Sequence, residues 1–158
     1  MSLLLRCVPP AEIRLKRNRG PSKICLVDHA LRACWLQEVV PLVPDELRDE
    51  ALCTLAGHIA ESAVGSHLLH LPGLGLSHFP ARSNAPEVDF VLTVGAQRIP
   101  LEVKYRRRID ETRDLLGLQS FMDTAANNAP FGILVTQRAI KVADQRVLCV
   151  PLPALLSL

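Results

Sequence analysis

At 158 residues, with 49% hydrophobic and 22% charged side chains, the chain can bury the core of one domain, and a disordered tail is excluded. No apolar run reaches the roughly 18–20 residues that a membrane helix needs, and the opening apolar stretch is too short for a secretory signal. A soluble, cytoplasmic protein with no membrane partner is expected. The net charge of +2 hides an uneven distribution, with Arg6, Arg14, Lys16, Arg17, Arg19 and Lys23 crowding the start and Arg106-Arg107-Arg108 forming a second basic cluster. Acidic residues gather at Asp45, Glu46, Asp49 and Glu50. Such basic clusters attract phosphate backbones by counterion release, although a short charge run is more often a solvated face.

In chain order, Leu3–Val8 reads as a short strand broken by Pro9-Pro10, and residues 11–23 read as basic and irregular. Ile24–Val27 is an apolar run leading to Asp28, an N-cap for a helix through about Leu36 in which Trp35 is expected in the core. Pro41 and Pro44 mark a loop. The longest helical pattern runs from about Asp45 to His70, with Leu52, Leu55, Ala56, Ile59, Ala60, Ala63 and Val64 at helical spacing. Leu74–Phe79, Phe131–Thr136 and Val147–Val150 read as strands, and 110–127 as a second long helix. The expected class is α/β, a mixed central sheet flanked by helices on both faces. Five scattered cysteines without a CxxC pair indicate neither a zinc ribbon nor a disulfide framework, and fit reduced, mostly buried thiols.

The most informative stretch is 86–104. Val88, Phe90 and Leu92 alternate with Asp89, Val91 and Thr93, while Ile99, Leu101, Val103 and Tyr105 alternate with Glu102 and Lys104. With turn chemistry at Val94–Gln97, the two segments most simply pair as an antiparallel hairpin. Strands about 4.8 Å apart would let Asp89 and Glu102 bracket one hard cation beside the Lys104 ammonium. The plain alternative is a solvated hairpin face carrying a surface ion pair worth at most about 1 kcal/mol.

Glu87-Val88-Asp89-Phe90-Val91-Leu92 followed by Ile99-Pro100-Leu101-Glu102-Val103-Lys104, after a helix carrying Glu61, resembles the PD-(D/E)xK nuclease superfamily. Within it the chain is similar to the DUF4143 domain, found at the C-terminal end of many prokaryotic P-loop ATPases of the archaeal AAA type. Lys23–Leu31 resembles that domain's opening motif, Gly57–Glu61 its helical Glu motif and Phe131–Thr136 its late strand. The resemblance implies a restriction-endonuclease-like core over residues 23–158. The basic segment 1–22 is expected to be a remnant of a winged-helix domain. It also implies a Mg²⁺- or Mn²⁺-dependent endonuclease acting on DNA. Asp89, Glu102 and Glu61 would hold the metal, Lys104 would assist the attacking water, and Arg106, Arg107 and Arg108 would contact nucleic acid. A metal or Lys104 would then partner Glu61, which otherwise sits on an apolar, glycine-flanked helix stripe. Gln119 would occupy the place of a supporting glutamine.

Two departures from the pattern stand out. Pro86 lies three residues before Asp89 rather than beside it, and no GxxxxGK[ST] occurs, so the chain is not the ATPase itself. It is expected to be a fragment or remnant of such a protein, with an ATPase domain as partner in cis or trans. A rival reading keeps the fold as a non-catalytic nucleic-acid- or partner-binding module; a third makes it a homodimerisation domain. His58, His67, His70 and His78 lack the Cys or acidic partners of a zinc site and read as structural or surface residues.

Overall fold

The computed structural model describes residues 5–11, 22–38, 40, 49–81 and 85–158. Most of the basic stretch 11–23, the loop at Pro41 and Pro44, and Asp45 and Glu46 lie outside these residues.

β1 (Leu5–Val8) and β2 (Lys23–Leu26) pair antiparallel in a small two-stranded sheet, with Val8 opposite Lys23 and Leu5 opposite Leu26. Asp28 then caps α1 (His29–Leu36), accepting the Leu31 N–H at 2.9 Å. Asp49 caps α2 (Glu50–Leu68) by accepting from the N–H groups of Ala51 and Leu52. β3 (Gly75–Phe79), β4 (Val88–Val94) and β5 (Gln97–Lys104) follow as an antiparallel meander, in which the Gly95-Ala96 turn sets Val94 opposite Gln97. After α3 (Glu111–Asp114) and α4 (Leu116–Asp123), β6 (Gly132–Thr136) and β7 (Val147–Pro151) add in parallel to β5, and α5 (Leu152–Leu156) closes the chain. The result is a five-stranded mixed sheet ordered β3-β4-β5-β6-β7, in a mixed α/β fold. Among the described residues, no helix is long and apolar enough to cross a membrane.

Apolar side chains on the two sheet faces build two cores. On one, Phe90, Leu92, Leu101, Val103 and Val135 pack with Ala60, Val64 and Leu68 of α2 and Leu155 of α5. On the other, Val88, Val91, Leu134 and Val147 meet Leu115 and α4's Leu118, Phe121 and Met122, with the Phe79 and Phe121 rings edge to face at 5.3 Å. Val88 therefore packs with Val91 and not with Phe90 and Leu92. The register of β3 on β4 shifts between Ser77 and Phe79, and such an irregularity re-aims neighbouring side chains beside Asp89.

Other expectations are corrected. The described part of the long helix starts at Glu50, and the 110–127 helix breaks at Leu115 and leaves the helical path again at Thr124 before a 3-10 turn at Ala125–Asn127. Helix α5 has no counterpart in the sequence reading. Trp35 is 67% exposed, because α1 buries none of its residues. Of the five thiols, all free, only Cys25 is fully buried.

One close approach governs how the small sheet meets the large one. A Cβ on Gly65 would lie 2.4 Å from the Cys25 Sγ and 2.7 Å from the Phe90 ring, so α2 touches β2 and β4 there only because glycine has no side chain. Gly65→Ala is expected to destabilise the chain by about 1–3 kcal/mol through overpacking, read as a lower urea midpoint at unchanged slope.

Candidate active site

The β4–β5 ladder ends at the Phe90–Leu101 pair, and the next residues, Asp89 and Glu102, meet through their side chains. The two are interlocked. The Val103 N–H donates to Asp89 Oδ2 at 2.9 Å, and the Asp89 N–H donates to Glu102 Oε2 at 3.4 Å. Lys104 donates its ammonium to Glu102 Oε1. Helix α2, whose Ala60 and Val64 pack on the same sheet face, holds Glu61 across from this pair.

Glu61 meets a residue that the sequence reading did not assign to the site. Its partner is not Lys104 but Lys23, at the start of β2, whose Nζ lies 2.6 Å from Glu61 Oε1. The same ammonium is 3.2 Å from Asp89 Oδ1 and 3.3 Å from Glu87 Oε1, and stands 5.2 Å from the centre of the Phe90 ring. Lys23 is placed there by pairing with Val8, by the Leu26 N–H donating to Ser62 Oγ at 2.6 Å, and by Cys25 seated against Gly65. In the sequence it is one cation of the basic cluster at the start of the chain, and nothing local sets it apart from the others.

Four carboxylates, on Glu61, Glu87, Asp89 and Glu102, thus face two ammonium groups, on Lys23 and Lys104. The imbalance shows in the acids. Burial, then the Asp89 charge, pushes Glu102 up to about 7 despite Lys104. Burial and Asp89 also raise Glu61, against the pull of Lys23. Burial disfavours the Lys23 charge, yet Asp89, Glu61 and Glu87 together hold its pKa above the usual lysine value. For Lys104, burial likewise works against the charge, and Glu102 outweighs it.

A pH dependence follows. Between about 4.5 and about 7 the folded chain keeps a proton on Glu102 that the unfolded chain has released, so stability falls as pH rises through that window. The loss is roughly 3 kcal/mol at most, with Glu61 adding in the same direction. Glu102→Gln is expected to flatten this slope in urea melts across the same range.

The site opens into a cleft of about 540 Å³, lined by Glu61, Asp89 and Lys104 and, among others, by His58, Arg106 and Arg113. Glu102, 8% exposed, is not among the lining residues; it supports Asp89 and Lys104 from behind. Arg106 is held by the buried Asp114 carboxylate, which also accepts the Asp110 N–H at 2.8 Å. Arg107 and Arg108 are exposed on the following bend and do not line the cleft, whereas Arg113, not singled out in the sequence, does. Gln119 points elsewhere, donating to Asp144 Oδ2 at 3.4 Å. The His70 Nδ1 lies 2.6 Å from the Ser66 carbonyl oxygen and the His78 Nδ1 3.2 Å from that of Pro9, both structural contacts. Among the described residues, no three His, Cys, Asp or Glu side chains are grouped as a metal cage.

No curated protein and no solved structure matches the chain. A profile of a domain of unknown function, DUF4143, matches residues 56–155, more than half of its length. The matched segment carries Glu61, Asp89, Glu102 and Lys104, while Lys23 lies ahead of it. The chain belongs to the DUF4143 family.

Proposed function

We propose that the chain is a nuclease-like domain of the PD-(D/E)xK type, hydrolysing DNA phosphodiesters with Mg²⁺ or Mn²⁺. The observation that carries this reading is the interlocked Asp89 and Glu102-x-Lys104 on adjacent strands, with Glu61 on the same cleft, whose wall adds Arg106 and Arg113 alongside Glu50 and Asp114. The mixed sheet, with helices on both faces, agrees with such a core.

The donor set suits a hard cation. Mg²⁺ is commonly held by only one or two carboxylates, with waters and substrate phosphates completing its shell. Asp89 and Glu61, which both line the cleft, would hold it with Glu102 behind Asp89, and burial together with the Asp89 charge raises both Glu61 and Glu102. A bound ion there would supply Lewis-acid polarisation and a water of lowered pKa. The chain's own residues do the rest. Lys104, fixed by Glu102, orients a water in the cleft and offsets charge on the phosphate. Arg106, pre-set by Asp114, and Arg113 hold flanking phosphates of the strand.

A second reading, a non-catalytic nucleic-acid-binding module, is favoured by one contact: the Lys23 ammonium already bridges Glu61 and Asp89. Incubating the chain with linear and branched DNA at several salt concentrations, with and without Mn²⁺, separates the two. Cleavage that needs Mn²⁺ and disappears in Lys104→Met supports the nuclease. Salt-dependent binding without cleavage under any divalent ion supports the module. The absence of both rejects the two readings together.

A further inference from the structure

Lys23 does more than balance charge. Its ammonium sits between Glu61 and Asp89, 2.6 Å and 3.2 Å from their oxygens, where an ion shared by these two acids would have to sit. Magnesium needs oxygens at about 2.0–2.1 Å, so ammonium and metal cannot occupy the place together. Building on the cation-site reading above, we propose that Lys23 is the resident cation of this centre and must be displaced before a divalent ion binds, which makes the Lys23 side chain, carried on β2, a gate on the site.

Three features support displacement rather than permanent occupation. The lysine reaches the acids through a flexible stem, and its third partner, Glu87, is half exposed at the edge of the cluster, a docking point for an ammonium that swings outward. A second cavity of about 170 Å³, lined by Lys23, Cys25, His58, Glu61 and Ser62 among others, adjoins Lys23 on the β2 side and gives its side chain free space next to Glu61. The hairpin itself stays tethered to α2 through Leu26 and Ser62, so the side chain moves without undocking the strand.

Two measurements test the gate. The first is Mn²⁺ affinity, from water-proton relaxation, for wild type and Lys23→Gln, with folding of the variant checked by circular dichroism. The second is the rate of amine labelling at Lys23 in the wild type, read by peptide mass spectrometry with and without Mn²⁺, which needs no variant to fold. The gate predicts Mn²⁺ binding about tenfold tighter or more in Lys23→Gln, and faster Lys23 labelling when Mn²⁺ is added. Equal affinities with unchanged labelling overturn the gate and leave the cation site standing. Absence of Mn²⁺ binding in both proteins overturns the gate and the cation site together. Should the variant not fold, the labelling result alone decides: acceleration supports displacement, and a constant rate refutes it.

Discussion

Replacing Asp89 with asparagine is expected to leave the chain folded while lowering divalent-ion affinity and DNA cleavage by on the order of a hundredfold or more. The amide oxygen still accepts the Val103 N–H, so the hairpin keeps its interlock, but the charge at the middle of the site is gone. Glu102 should respond as well. Asp89 is the second-largest cause of its raised pKa, so the neutral side chain lets Glu102 ionise at lower pH. Asp89→Ala differs in kind, because it leaves the Val103 N–H unpaired in a buried position, which costs about 1–3 kcal/mol. Comparing both variants by urea melts and by cleavage separates the charge from the hydrogen bond. Cleavage by the asparagine variant at the wild-type rate would remove Asp89 from the chemistry.

The second large effect is on stability. Lys23→Met removes the ammonium shared by Glu61, Glu87 and Asp89 and leaves two of these acids in low-exposure positions without a counter-charge. Breaking a fully buried pair costs about 3–5 kcal/mol; with Glu87 half exposed and Glu61 partly so, roughly 2–3 kcal/mol is expected at neutral pH. The loss has a predictable pH dependence. Lys23 pulls the Glu61 pKa down, so without it that pKa rises further, the acid takes up a proton as pH falls and the penalty shrinks. Urea denaturation at pH 5 and pH 7.5 should therefore show a smaller difference from wild type at the lower pH. A uniform loss below about 0.5 kcal/mol would mean that the contact is solvated and contributes little.

The hairpin was legible because its signals are local. Alternation over Phe90–Leu92 and Ile99–Val103, with a glycine turn between, sets the register up to the Phe90–Leu101 pair, and Asp89 and Glu102 are the residues that come next on each strand. Glu61 was legible for a different reason: a carboxylate on an apolar, glycine-flanked helix stripe demands a partner. Its partner was not legible. Lys23 lies 38 residues from Glu61 and 66 from Asp89, and its arrival depends on β1–β2 pairing, which no local pattern announces. Val88 was misassigned because strict alternation ignores the register shift opposite Ser77 and Phe79. Trp35 was misassigned because an aromatic on an amphipathic helix is core only when another element covers it, and α1 buries none of its residues. The break near Leu115 was hidden because its apolar neighbours continue the helical spacing on both sides.

The first measurement to make is titration calorimetry of Mg²⁺ and Mn²⁺ into the wild-type chain and into Asp89→Asn, with a short DNA duplex present so that phosphates can complete the coordination shell. A divalent-ion site centred on Asp89 predicts binding in the micromolar to low-millimolar range for the wild type, weakened on the order of a hundredfold in the variant. Equal heats for the two proteins, or no heat from either, would contradict it and leave Glu61, Asp89 and Lys23 as a closed ion-pair cluster on a binding module.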